Sequence, residues 1–324
     1  MGKHSSAAIG NSPLSLKSPA KINWYLKVLG LRDDGFHEIQ SLMQKVSLYD
    51  ILTFSPSNDL TLQTDLPIPV EKNLVYRAAS LLKNTCGTDK GAFITLKKNI
   101  PEGAGLGGGS GNAAAALLGL NRLWSLNLPL TDLCRIAEQL GSDVPFFLYG
   151  AIASSSGRGE KISACAIKKS IHMLLVKPPF PVSTAWVYGE LRSRIQEIRA
   201  MRQRSGDRFK NFPYFELPNF PTSVKLTKKD SEADNIAFII RSIERSEFGD
   251  LQDILFNDLE SVTMRRFPVI SGIKNVLKEQ GAVFSMMSGS GPTVFGIFHS
   301  SKEAEKASKA FKGCWTKAVH TLIE

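Results

Sequence analysis

The segment Pro101-Glu102-Gly103-Ala104-Gly105-Leu106-Gly107-Gly108-Gly109-Ser110-Gly111-Asn112 constrains this chain more than any other. With so few side chains in the way, its backbone N–H groups can close around an anion. The alternating stretch Ala92 to Leu96 before it predicts a strand, and the apolar, alanine-rich stretch Asn112 to Trp124 after it predicts a helix. That helix would point its positive N-terminal end at the same anion. A phosphate cradle is therefore expected, not a flexible linker.

Two common phosphate motifs fit poorly. Gly103, Gly105 and Gly108 match the spacing of a dinucleotide-binding turn, but the next acid, Asp132, falls at the start of a helical pattern rather than at a strand end. No Gly-Lys-Ser/Thr follows the glycines, so the Walker pattern fails as well.

A length of 324 residues predicts two domains. No apolar run approaches the roughly 20 residues that a spanning helix needs, so no membrane partner is expected. Cys86, Cys134, Cys165 and Cys314 are scattered and the histidines dispersed, which suggests neither a disulfide framework nor a protein metal site and fits a cytoplasmic location. The net charge of +10 raises the question of nucleic acid. Much of the excess lies between Arg192 and Lys229, with no recognised nucleic-acid signature, and a solvated basic insertion near 192–230 is expected there. The Ser-rich, acid-free stretch Met1 to Lys17 is expected to be a short lead-in.

Elsewhere, strands are predicted at Ala20 to Val28, Val46 to Phe54, Leu60 to Thr64, Ile152 to Ser155 and His172 to Val176. Helices are predicted from the cap Asn73 to Asn84, from the cap Thr131 to Leu140, and over Ala233 to Ser246, Leu251 to Leu259 and Val269 to Gln280. The interleaving indicates a two-domain protein of mixed helices and strands.

Three segments together resemble the GHMP kinase family: Pro19-Ala20-Lys21-Ile22-Asn23, the glycine-rich loop, and Met287-Ser288-Gly289-Ser290-Gly291-Pro292. Asp34-Gly35-Phe36-His37-Glu38 and Gly141-Ser142-Asp143-Val144-Pro145 are similar to members that act on a cytidine-diphosphate-linked small molecule. Gly111 departs from the pattern, standing where a second serine is usual. The resemblance implies an α+β, two-domain fold over residues 15–165 and 166–324, with the active site in the cleft between them. It implies ATP and Mg2+ as cofactors and transfer of phosphate to a hydroxyl. Asp143 would be the base, with Lys21 beside it. Pro101, Glu102, Gly103, Ala104, Gly105, Leu106, Gly107, Gly108, Gly109, Ser110 and Gly111 would hold the nucleotide. Asn23, Phe36, His37 and Tyr188 would hold the substrate. Another small-molecule kinase of the family, or a non-catalytic binding protein derived from it, is the alternative.

Overall fold

The computed structural model describes residues 13–204, 232–251 and 254–323. Of the expected lead-in Met1 to Lys17, residues 1–12 lie outside them while Leu14 to Lys17 already belong to the first strand, and the basic stretch over 205–231 lies outside as well. The first half is built on β1 (Leu14–Leu31) and β2 (His37–Ser57), paired antiparallel. Both are much longer than the alternating stretches suggested. The pairing shifts at Pro19/Ala20, Asn23/Tyr25 and Val28/Gly30. Each such irregularity re-aims the side chains that follow, so no single period of two runs the length of the strand.

With β3 (Leu60–Thr64), β4 (Gly91–Lys97), β5 (Ile152–Ser156) and β6 (Lys161–Cys165) they form a six-stranded sheet ordered β3-β4-β2-β5-β6, with β1 also on β2. Strand β6 carried too little apolar alternation to be expected; its place is set by pairing with β5.

Helices α1 (Leu74–Cys86), α2 (Gly108–Leu123) and α3 (Leu130–Glu138) share a core with one face of this sheet. Asn73 caps α1 as expected, its Oδ1 accepting from the Val75 amide at 2.9 Å. Helix α2 starts at Gly108, earlier than the expected Asn112, because glycines carry no side-chain pattern to report a helix. Helix α3 is capped by Pro129 rather than Thr131.

The second sheet is antiparallel and ordered β10-β7-β9-β8: β7 (His172–Lys177), β8 (Phe284–Met287), β9 (Val294–Phe298) and β10 (Trp315–His320). Met173, Leu175 and Ile297 meet Ile22, Trp24 and Leu42 of the first sheet in a shared core, while Leu174, Val176 and Phe298 face the helical side. Burial on both faces explains the continuous apolar runs of β7 and β9.

The remaining helices are α4 (Thr184–Arg204), α5 (Glu232–Arg245), α6 (Phe248–Leu251), α7 (Asp258–Arg266), α8 (Val269–Glu279) and α9 (Ser301–Ser308). Residues 192–204, inside the stretch expected as a basic insertion, continue α4. One expectation needs correction. The helix expected over Leu251 to Leu259 is interrupted: among the described residues 254–257 are not helical, and α7 starts at Asp258. There the Phe256 carbonyl accepts from the Leu26 amide at 2.9 Å, so β1 holds this segment out of helical form.

Candidate active site

A cavity of about 1090 Å³ is lined from both halves of the chain. The glycine-rich loop forms one wall, and its carbonyls are held from outside. Gly103 accepts from the Val182 amide, Ala104 from Thr293, Gly105 from the Ser288 hydroxyl at 3.0 Å, and Leu106 from the Lys21 amide at 2.9 Å. In a trans peptide the next N–H points the opposite way, so amides along this stretch point away from those contacts. They adjoin the first-turn amides of α2, which have no intrahelical acceptor. Gly105 and Gly107 have φ of 74° and 68°. A Cβ at Gly105 would fall 2.2 Å from the Ser288 carbonyl oxygen, and one at Gly107 2.9 Å from Lys21 Cγ. Neither position admits a side chain without movement.

Lys21 and Asn23, two apart on β1, face the same side. The Lys21 ammonium, 3% exposed as a residue, donates to Asn23 Oδ1 at 2.6 Å and lies 3.5 Å from Asp143 Oδ2. The Asn23 amide donates to the Ser41 hydroxyl at 2.8 Å, which donates to the Tyr25 carbonyl at 2.6 Å. A buried cation is thus fixed beside a carboxylate whose side chain stays 37% exposed and lines the cavity.

A group of rings lies beyond this pair. The His37 and Tyr188 centroids are 5.2 Å apart, tilted by 35°. Phe36 is half exposed, with the Arg158 guanidinium 4.9 Å from its centroid. Burial, reinforced by the charge of Arg192, depresses the His37 pKa. Burial first, then the Asp143 and Asp258 carboxylates, raises that of the Tyr188 phenol.

Every residue expected in the site lines this cavity except Gly111. The Gly111 amide is already bonded to the Gly107 carbonyl at 2.9 Å, and a Cβ there would meet Ser18 Oγ at 2.9 Å, so Gly111 packs α2 onto β1 instead of facing a phosphate. Several lining residues escaped the sequence reading. Lys98 pairs with the fully buried Asp50, which also accepts from the Asn99 and Ile100 amides and so fixes the entry to the loop. Arg192 donates to the Gly35 carbonyl, across the turn that carries Phe36. Their sequence neighbourhoods gave little signal, because each acts on a partner distant in the chain. Four lining residues hold buried polar atoms without a partner among the described residues: His37 Nε2, Asn73 Nδ2, Asn112 Oδ1 and Ser155 Oγ. Such atoms are costly unless a ligand or water satisfies them.

Two family models match the chain, described as the GHMP kinases N terminal domain over residues 73–151 and the GHMP kinases C terminal over residues 239–317. The chain is 41% identical to a 4-diphosphocytidyl-2-C-methyl-D-erythritol kinase of Thermodesulfovibrio yellowstonii, across 96% of this chain and 99% of that one. It is 39% identical to a protein of the same name from Syntrophus aciditrophicus, across 93% and 96%. Among solved structures, a 4-(cytidine 5'-diphospho)-2C-methyl-D-erythritol kinase superposes with a TM-score of 0.71 at 31% identity, covering 94% of this chain and 99% of that one. A homoserine kinase from Cytophaga hutchinsonii shares the fold, with a TM-score of 0.67 at 17% identity, covering 99% and 98%.

Proposed function

The chain belongs to the GHMP kinase family, and on that premise we propose that it transfers the γ-phosphoryl group of ATP to a hydroxyl of 4-diphosphocytidyl-2-C-methyl-D-erythritol, a step of non-mevalonate isoprenoid precursor synthesis. The observation that carries the chemistry is Lys21. Its backbone amide holds the phosphate loop at the Leu106 carbonyl and its ammonium faces the Asp143 carboxylate, in a cavity that also contains the ring group.

In this reading the amides of the loop and of the first turn of α2 bind the nucleotide phosphates. Asp143 accepts the proton of the acceptor hydroxyl as its oxygen bonds to phosphorus and the bond to the ADP oxygen breaks. The Lys21 ammonium offsets the charge moving between donor and acceptor. Asn23 and Ser41 hold Lys21 in place. Phe36, His37 and Tyr188 receive the cytosine end. Residues 15–165 and 166–324 act as the two domains, a division supported by the change of sheet between β6 and β7.

Among the described residues no three or more His, Cys, Asp or Glu side chains stand together as a metal cage. In this reading Mg2+ arrives on ATP, since this ion usually needs only one or two protein oxygens besides phosphates. The Ser110 hydroxyl, which lines the cavity, is one oxygen that would meet it there. When bound, the ion neutralises charge on the phosphoryl oxygens. Among the described residues no helix is long and apolar enough to cross a membrane. Among the described residues no disulfide links Cys86, Cys134, Cys165 and Cys314, which fits the cytoplasmic location proposed.

The test is ATP consumption with 4-diphosphocytidyl-2-C-methyl-D-erythritol, homoserine or mevalonate as acceptor. Stoichiometric ADP and a phosphomonoester only with the cytidyl substrate is the expected result. Turnover of homoserine or mevalonate in its place would reassign the substrate, and no turnover with any would favour a binding protein.

A further inference from the structure

Asn257, Glu260 and Thr263, spaced by three, lie along one side of the start of α7, and all reach the end of β8 or the Gly/Ser loop that follows it. Asn257 Nδ2 donates to the carbonyls of Met287 at 2.9 Å and Gly289 at 2.6 Å, while its Oδ1 accepts from the Leu259 amide at 3.0 Å. Glu260 Oε2 accepts from the Met287 amide at 2.7 Å, and its other oxygen pairs with Lys274. The fully buried Thr263 hydroxyl lies 3.3 Å from the Ser290 carbonyl oxygen and 3.1 Å from that of Leu259. Asn257 is 6% exposed and both ends of its amide are engaged. The same turn is tied to β1, since Asp258 Oδ2 accepts from the Val28 amide at 2.7 Å.

The loop so held abuts the reacting groups. A Cβ at Gly289 would stand 3.3 Å from Lys21 Nζ and 3.4 Å from Asn23 Oδ1, and Ser288 Oγ donates to the Gly105 carbonyl. Drift of this loop would either press on the Lys21 ammonium or leave it loose, and it would release one restraint on the phosphate loop. A misplacement of about 1 Å costs a rate on the order of a hundredfold.

We propose that this ladder is a positioning device, in which Asn257, backed by Glu260 and Thr263, sets the place of Gly289 and thereby the geometry of Lys21 and the phosphate loop. The rate consequence rests on the kinase reading above; the restraint on the loop does not. Asn257→Asp keeps the helix cap, since aspartate caps as well as asparagine, but sets a carboxylate oxygen against two carbonyls. It should lower turnover on the order of a hundredfold. Thr263→Val should slow turnover severalfold while Thr263→Ser restores it, although serine packs the worse of the two; a merely structural threonine would show the reverse order. Hydrogen exchange needs no substrate: in Asn257→Asp the Ser288 and Gly291 amides, bonded to Thr293 and Ser288 respectively, should exchange about tenfold faster or more, with α8 unchanged. Absence of wild-type turnover would count against the kinase reading, whereas unchanged exchange in Asn257→Asp would overturn the ladder. The ladder would also fall if Asn257→Asp turned over within about threefold of wild type. If Asn257→Asp does not fold, the Thr263 pair decides: valine as active as serine overturns the proposal.

Discussion

The Lys21 ammonium lies 3.5 Å from the Asp143 carboxylate and is also held at 2.6 Å by Asn23, so the cation has one structural partner and one partner at the reaction. Lys21→Met keeps the length of the stem and removes only the charge and its donors. Turnover should fall by about 10²–10³, the loss typical of one electrostatic stabiliser. Steady-state kinetics and a melting curve on the same preparation check this; a fully active variant would make Lys21 a bystander.

Phe36 is half exposed, with Arg158 over one face of its ring. Base–aromatic stacking is worth about 1–3 kcal/mol by alanine substitution. Phe36→Ala should therefore raise the KM for the cytidyl substrate by roughly ten- to a hundredfold, at about 1.4 kcal/mol per factor of ten. The KM for ATP should hardly move. A weakened ATP site with an unchanged substrate KM would place Phe36 on the nucleotide side.

Burial pushes the Asp258 carboxyl up to about 6 from 3.8, against the opposing Val28 amide and Lys27 charge. Its folded pKa therefore exceeds its unfolded one. The stability it contributes is complete below the unfolded pKa and is lost as pH rises through about 6. Asp258→Asn removes that dependence. Relative to wild type, the variant should gain on the order of 2–3 kcal/mol between about pH 4 and pH 8, at about 1.4 kcal/mol per pKa unit. Urea unfolding at both pH values measures it; a difference that does not change with pH would contradict the shift.

The parts of this site that the sequence made legible are local. Pro101 to Ser110 declares a cradle because backbone without side chains has few other uses beside a helix N-terminus. Lys21 and Asp143 are different: 122 positions apart in the numbering, they became a pair only by resemblance to a family, and distance in space supplied the rest. Nothing in the order of residues tied Arg192 to Gly35 or Asn257 to Gly289, since a hydrogen bond across the fold leaves no periodic trace. The helix wrongly expected over Leu251 to Leu259 shows the same limit. Leu251, Ile254, Leu255 and Leu259 recur at helical spacing, yet pairing of Phe256 with Leu26 overrides it. Gly111 was read as part of the cradle because it adjoins it, although its amide had already been used inside α2.

Asp143 is the group on which the account depends most. Its carboxylate lines the cavity and is set opposite Lys21. Asp143→Asn preserves shape, removes the proton acceptor and leaves the phosphate loop untouched. The decisive measurement is turnover of 4-diphosphocytidyl-2-C-methyl-D-erythritol by this variant, made alongside direct titration of ATP. General-base catalysis contributes about 10²–10⁴, so turnover should fall by that factor while ATP binds within about threefold of wild type. Turnover close to wild type, or an ATP affinity that falls in parallel with the rate, would contradict Asp143 as the base.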